Sequence, residues 1–324
     1  MTIKPGRDYA LDNLRFALIF SVVFAHLLEI CAPSAGKHLL YQGIYAFHMP
    51  AFLFLFGYNA RFSAKRIVFR WLVPYAVFQT LYTCFRILVL KDGAAFQYAV
   101  PYWILWYMLV CIYYQALLPV YDKVKGRGQI FVISGAFVLS LLVGYVDFVG
   151  YPLSLSRFFL FLPWFLLGRS LRKSGGALPE KARIPASLLS ICVIILSVPF
   201  FKYADIPDDL LYASSAYAVS GGTVWMRLAV SLIALSWICF LFFVLKPRLN
   251  RKIPLLTSIG QNTWPIFLLH GFIVKALPVV FPEFVFLPRH ALVICCTALV
   301  MLGNRICSKA IYYGCFSWME RFWR

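Results

Sequence analysis

Arg15 and His26 lie eleven positions apart inside one apolar run. At 100° per residue that spacing is three turns plus about 20°, so both side chains leave the same face of a helix, about 16 Å apart along its axis. Asp12, three residues before Arg15, falls on the same side and can pair with the guanidinium. Such a face offers a cation at one end and a titratable base deep along it. Histidine is the side chain that takes and gives a proton near neutral pH. The pattern suits an anionic donor whose reactive end reaches into a helical bundle. A plainer reading stands beside it: Arg15 snorkels to headgroups, Asp12 caps the helix, and a neighbouring carbonyl satisfies a neutral His26.

Other ionisable residues interrupt apolar runs as well: Glu29, His48, Arg86, Arg157, Arg227, His270 and Lys275. A charge at mid-bilayer costs about 2.5–3.5 kcal/mol on insertion scales, so such residues pair or do work. His48 opens His48-Met49-Pro50 and is expected at a depth comparable with His26, where two imidazoles from adjacent antiparallel helices can share a site; it also fits a plain interface marker. Periodicity does not decide whether His270 faces a pore. The segment Arg61–Arg70 carries four cations in ten residues, a pattern that arginine-based phosphate binding and ordinary loop topology both produce. No phosphate-cradling glycine loop, H-E-x-x-H or G-x-S-x-G occurs, and no internal repeat, which argues against ATPase, metalloprotease and hydrolase chemistry and against repeat-built transporters. The nine cysteines include no C-x-x-C pair and read as small packing residues, so no metal is expected.

The elements that must carry these residues are membrane spans. Of 324 residues 62% are hydrophobic and 13% charged, against roughly 25% charged in a soluble domain. A water-soluble chain of this length could not bury so much apolar surface. Apolar runs long enough for a spanning helix lie near 14–33, 44–60, 71–90, 102–120 and 129–149, then near 154–171, 184–201, 223–245, 262–281 and 290–307. The second and sixth are short and compatible with partial re-entry. The expected fold is all-α: a polytopic transmembrane helical bundle of about ten spans, forming a single integral membrane domain over 1–324. With the N-terminus inside, the inner segments hold 22 Lys and Arg and the outer ones 4, a bias that places both termini in the cytoplasm. The net charge of +19 then reflects topology rather than nucleic acid, and a basic inner face also attracts anionic lipid and anionic cytosolic ligands. The first run, interrupted by Arg15 and His26 and followed by no cleavage site, is expected to be a retained span rather than a signal peptide. The longest polar segment, about 202–222, is expected to be an outer loop.

In this arrangement the sequence resembles the acyltransferase-3 family of integral membrane O-acyltransferases, and within it the bacterial branch of fucose-4-O-acetylase-like acetyltransferases. Arg7-Asp8-Tyr9-Ala10-Leu11-Asp12-Asn13-Leu14-Arg15, with His26 after ten further residues, matches the family's R-x10-H signature. Tyr45–Tyr58 looks like its second-span motif, and Arg70-Trp71-Leu72-Val73-Pro74-Tyr75 like the basic approach to its third span. Leu105–Leu109, Phe161–Gly168 and Gly260–His270 are similar to further family segments. Each piece is weak; six in order along nearly the whole chain are specific. The family often carries R-x-x-R before the third span, whereas Arg66 and Arg70 are spaced R-x-x-x-R; Arg70 keeps its distance from Pro74. Some members carry an extracytoplasmic hydrolase-like domain; none is found in these residues, so the chain is expected to complete transfer alone or with a partner.

The resemblance implies an enzyme that moves an acyl group, usually acetyl from acetyl-CoA, to a hydroxyl of a cell-envelope sugar or lipid-linked glycan precursor, in a bacterial plasma membrane. Arg15, Arg66 and Arg70 would hold the CoA phosphates, and the pantetheine arm would carry the thioester toward His26. His26 would act as general base on the acceptor or as a transiently acylated relay, with His48 orienting it or stabilising the oxyanion. Asp12, Arg15, His26 and His48 are thus the expected catalytic group. The expected partners are acyl-CoA, the glycan acceptor and membrane lipid, without nucleic acid. Two other readings fit ten spans with buried charges: a glycan or small-molecule exporter, in which His26 couples protons, and a non-catalytic scaffold of an envelope-synthesis complex.

Overall fold

Asp8 starts the first helix, α1 (Tyr9–Glu29), by accepting a hydrogen bond from the Leu11 backbone N–H at 3.3 Å. Ser34 starts the second, α2 (Ala35–Asn59), in the same way through the Lys37 N–H. A computed structural model of the chain describes residues 8–32, 34–175 and 180–309, without the side chains of Glu180 and 305–309. Lys4, Arg7, Arg321, Arg324 and Cys315 of the sequence reading therefore lie outside the described residues, as do the side chains of Arg305, Cys307 and Lys309.

The helices that follow are α3 (Ala64–Leu90), α4 (Trp103–Tyr121), α5 (Arg127–Tyr145), α6 (Leu155–Lys173), α7 (Glu180–Tyr203), α8 (Val224–Arg248), α9 (Pro254–Gln261), α10 (Thr263–Val280) and α11 (Arg289–Lys309). No strand occurs among the described residues. Eight helices there are long and apolar enough to cross a membrane: α1 to α5, α7, α8 and α10. The other two apolar runs are also helical but differ in kind. Arg157, Arg169, Arg172 and Lys173 raise the charge of α6, and the apolar part of α11 is shorter. The second run is no re-entrant piece. It is one continuous 25-residue helix that begins well before residue 44. Its polar first turns are satisfied by tertiary contact: the Gln42 amide donates to the Ile206 carbonyl at 2.7 Å and to Asp208 Oδ1 at 3.0 Å.

Glycines set how closely the helices approach. A Cβ at Gly57 of α2 would sit 2.0 Å from the Phe165 carbonyl oxygen, and one at Gly168 of α6 would sit 2.0 Å from that of Phe54. The two glycines therefore let α2 and α6 cross backbone to backbone. Gly260 of α9 plays the same part against α1, its would-be Cβ lying 1.8 Å from the Asp12 carbonyl oxygen. Beside it the Asn13 amide donates to the Leu249 (2.8 Å) and Arg251 (3.0 Å) carbonyls and its oxygen accepts from the Thr257 hydroxyl (2.8 Å), locking the α8–α9 connection onto α1. The segment expected as an outer loop holds two short helical turns, Asp208–Tyr212 and Tyr217–Ser220, and Leu210, Leu211 and Tyr217 are buried. The described cysteines are free thiols.

Candidate active site

The helices enclose a cavity of about 600 Å³, a size suited to a small-molecule ligand. Arg15, Arg61, Arg66 and Arg70 line it, and so do His26, Glu29, Tyr45 and His48. Because Arg15 and His26 both belong to α1, the cavity follows that helix for eleven residues, about 16 Å, and joins a basic end to an imidazole end.

At the basic end Asp12 Oδ1 accepts from Arg15 Nη1 at 2.9 Å, and Asp12 Oδ2 accepts from the Gln261 amide at 3.2 Å. Asp12 is buried and off the cavity wall, so it fixes Arg15 rather than meeting a ligand. The Gly260 contact is what brings Gln261 within reach. On α3 the backbone is π-helical over Ile67–Leu72, a widened stretch of the kind that recurs at functional sites. Arg66 lies just before it and Arg70 within it, and the R-x-x-x-R pair lines one cavity. The Arg70 guanidinium lies 5.9 Å from the Trp264 ring centroid.

At the other end His26 Nδ1 lies 3.1 Å from Glu29 Oε2, and the Tyr45 hydroxyl donates to the same oxygen at 3.1 Å. Lys275 Nζ lies 3.5 Å from Glu29 Oε1 and 4.1 Å from the Trp103 ring centroid. The Tyr45 hydroxyl also lies 3.1 Å from Nδ1 of His26. A carboxylate accepts only, so a neutral His26 that donates to Glu29 does so from Nδ1 and has Nε2 as its acceptor. The indole of Trp103 packs 4.4 Å from the His26 ring on one contact, and the His270 ring stacks 5.5 Å away on another. Trp103 has φ 38°, a left-handed conformation that a bulky side chain adopts only where its surroundings impose it. His48 is buried and donates from Nδ1 to the Ile44 carbonyl at 2.8 Å, which in the neutral ring leaves Nε2 as an acceptor. Tyr45 packs edge-on against both His26 (6.0 Å) and His48 (4.9 Å).

The folded segment after α7 completes this end. Tyr212 and Ser214 line the cavity, and the Tyr212 hydroxyl accepts from the Tyr41 hydroxyl at 2.6 Å. Three further lining residues, Trp71, Gln115 and Arg157, each carry a buried polar atom with no hydrogen-bond partner among the described residues: Nε1, Oε1 and Nη1. Buried polar groups are rarely left unmet, so these three atoms are available to water or to a polar ligand in the cavity.

Arg15, His26, His48, Arg66 and Arg70, chosen from the sequence, thus share one cavity, with Asp12 behind Arg15. His270 is off the wall, and its Nδ1 donates to the Ile266 and Phe267 carbonyls at 3.0 and 2.8 Å. The sequence reading missed the functional environment of His26. Glu29 follows it by three residues, a spacing that signals a partner one turn on. Tyr45, Trp103 and Lys275 carry no such local signal, because separate helices bring them in.

A family model described as an acyltransferase domain, Acyl_transf_3, matches residues 8–306. The chain belongs to the acyltransferase-3 family. It is therefore a membrane acyltransferase, with several apolar helices that make it a multi-pass protein. Comparison with curated proteins and with solved structures returns no match. The family match runs from the N-cap of α1 into α11, and so takes in every cavity-lining residue named above.

Proposed function

We propose that this acyltransferase moves an acyl group, acetyl in the first instance, from cytosolic acyl-CoA to a hydroxyl of a cell-envelope sugar or glycan precursor. In this reading the basic end of the cavity faces the cytoplasm of a bacterial cell and the chain belongs to the fucose-4-O-acetylase-like branch of its family. One observation carries the proposal: a single cavity joins four arginines to a histidine whose Nδ1 is held by a carboxylate. CoA has the matching form, with phosphates at one end, a long flexible arm and a thioester at the other. Arg15, Arg66 and Arg70 bind the phosphates as charge-assisted donors. The carbonyl oxygen of Gln115 is a spare acceptor for an amide N–H of the pantetheine arm.

His26 acts as general base. Its Nε2 takes the proton of the acceptor hydroxyl while the hydroxyl oxygen attacks the thioester carbonyl. The tetrahedral intermediate collapses with cleavage of the carbon–sulfur bond, and the imidazolium returns the proton to the departing thiolate, leaving CoA and the acyl ester. Glu29 fixes the tautomer and stabilises the transient imidazolium, as the carboxylate does in a Ser-His-Asp triad. Tyr45 holds Glu29 in place. Orientation of His26 belongs to these two residues, and the spare Nε2 of His48 is a second acceptor for the sugar hydroxyls. With donor and acceptor in one cavity, no acyl-histidine carrier is needed. The exporter reading is not favoured, because the chain is an acyltransferase-family member.

Binding of CoA to the purified protein tests the reading without needing the acceptor. Saturable binding that weakens with rising salt and in Arg66→Ala and Arg70→Ala supports it. Absence of CoA binding to well-folded wild type would overturn it.

A further inference from the structure

Three arginines of the helices have a carboxylate partner: Arg15 has Asp12, Arg86 has Asp92 and Arg169 has Asp122, and all three are more exposed than Arg157. Arg157 differs. It is 8% exposed and lines the cavity, and no carboxylate among the described residues forms an ion pair with it. Its Nε donates to the Tyr212 carbonyl at 2.9 Å, and its guanidinium lies 4.7 Å from the Trp106 ring centroid and 4.8 Å from that of Tyr151. The Tyr151 hydroxyl donates to the Pro101 carbonyl at 2.7 Å, and its oxygen also serves the guanidinium as an acceptor. Nη1 has no hydrogen-bond partner among the described residues. A buried cation with an unmet donor is costly unless an anion completes it.

The surrounding chain holds Arg157 firmly in this state. Leu153 and Ser154 both take positive φ (51° and 54°) as the chain turns into α6, with the Leu153 N–H on the Ala99 carbonyl at 2.6 Å. Ser156, next to Arg157, donates to the Ala213 carbonyl at 2.8 Å. Strained backbone kept in place by such contacts is characteristic of binding sites. Arg227 is also buried with unmet donors, but it does not line the cavity. Arg157 is linked to the catalytic group by two aromatic steps: Tyr212 presents the carbonyl that it uses, and the Tyr212 ring lies 5.6 Å from that of Tyr45, which bonds Glu29. With the Trp106 and Tyr151 rings packed on the guanidinium and Nε held by the Tyr212 carbonyl, the unmet Nη1 on the cavity wall is a fixed, positively charged donor suited to an anionic oxygen of a ligand.

We infer that Arg157 is the acceptor-binding residue of this cavity and that it selects a sugar carrying an anionic oxygen group, a carboxylate or a phosphate ester, on the ring presented to His26. The inference rests on the acyl-transfer reading only for the word acceptor; the anion site itself does not depend on it.

The test is direct binding to purified protein in lipid nanodiscs, with no donor present. The probes are methyl β-D-glucuronide, glucose 1-phosphate and neutral methyl β-D-glucoside. Wild type is expected to bind at least one anionic sugar about tenfold or more tightly than the neutral one, in line with a charge-assisted hydrogen bond. The preferred anion separates a uronic-acid acceptor from a sugar phosphate. Arg157→Gln is expected to lose the preference and Arg157→Lys to keep part of it, both with unchanged CoA binding as the measure of a native fold. If Arg157→Gln does not fold, Arg157→Lys carries the comparison. Equal or absent binding of all three sugars by wild type, or an undiminished preference in the folded variants, overturns the inference. A preference that survives in a protein unable to bind CoA would instead overturn the acyl-transfer reading and leave the anion site standing.

Discussion

Nδ1 of His26 and Oε2 of Glu29 are 3.1 Å apart, joined across one turn at the end of α1, and the Tyr45 hydroxyl closes a three-membered cluster on the same oxygen. With Nδ1 turned to the carboxylate, Nε2 is the ring nitrogen left for a substrate proton.

Glu29→Gln keeps the shape of this contact and removes its charge. The turnover number is expected to fall by about 10² to 10⁴, the range for disabling general-base catalysis, with donor affinity little changed. CoA release under saturating donor checks this. An unaltered rate would remove Glu29 from the mechanism.

Tyr45→Phe removes a hydroxyl that lies 3.1 Å from both Glu29 Oε2 and His26 Nδ1 and keeps the ring against His26 and His48. A bond to a charged group contributes about 1.5–3 kcal/mol, so a loss of about tenfold to a hundredfold in turnover is expected. The acyl-donor Kd should be unmoved. A change in Kd alone would place Tyr45 in donor binding instead.

Arg66→Ala and Arg70→Ala act at the opposite end of the cavity. Each is expected to weaken CoA binding by about tenfold or more, while leaving turnover at saturating donor nearly intact. The comparison of KM with kcat reads the split. A loss confined to kcat would contradict the placing of the phosphates.

Gly260→Ala tests the contact that holds the basic end together. Its Cβ would meet the Asp12 backbone at 1.8 Å, so α9 must shift. A loss of about 1–3 kcal/mol in stability is expected from such overpacking. Gly43→Ala is the matched control: nothing lies within 4 Å of its Cβ, and it lies in the middle of α2. It should be neutral or stabilising. Thermal unfolding of the two proteins should therefore diverge.

The residues that were readable in the sequence are those fixed by one helix's own period. Arg15, His26 and Asp12 sit on α1, where eleven and three positions determine the face whatever surrounds it. Arg66 and Arg70 were readable as cations before a span, but the π-helical stretch around Arg70 was not, since nothing in Ile67–Leu72 announces it. The start of α2 was hidden because Gln42 is polar and yet buried, satisfied by Ile206 and Asp208 from far along the chain. The same tertiary contacts explain why 202–222 reads as a plain loop although it supplies Tyr212 and Ser214 to the cavity. Trp103, at the start of α4, and Lys275, on α10, reach His26 and Glu29 from far along the chain, a relation that no local spacing encodes.

The central claim is that His26, at the end of a CoA-binding cavity, carries out acyl transfer. The most direct measurement follows radiolabelled acetyl from acetyl-CoA in native membranes that supply the acceptor, with wild type and His26→Ala at equal protein level and equal CoA binding. Wild type is expected to move label from CoA into membrane glycan or lipid-linked sugar, and His26→Ala to bind CoA and transfer nothing. Transfer by a folded His26→Ala at the wild-type rate, or CoA binding by wild type with all label still on CoA, would contradict the claim.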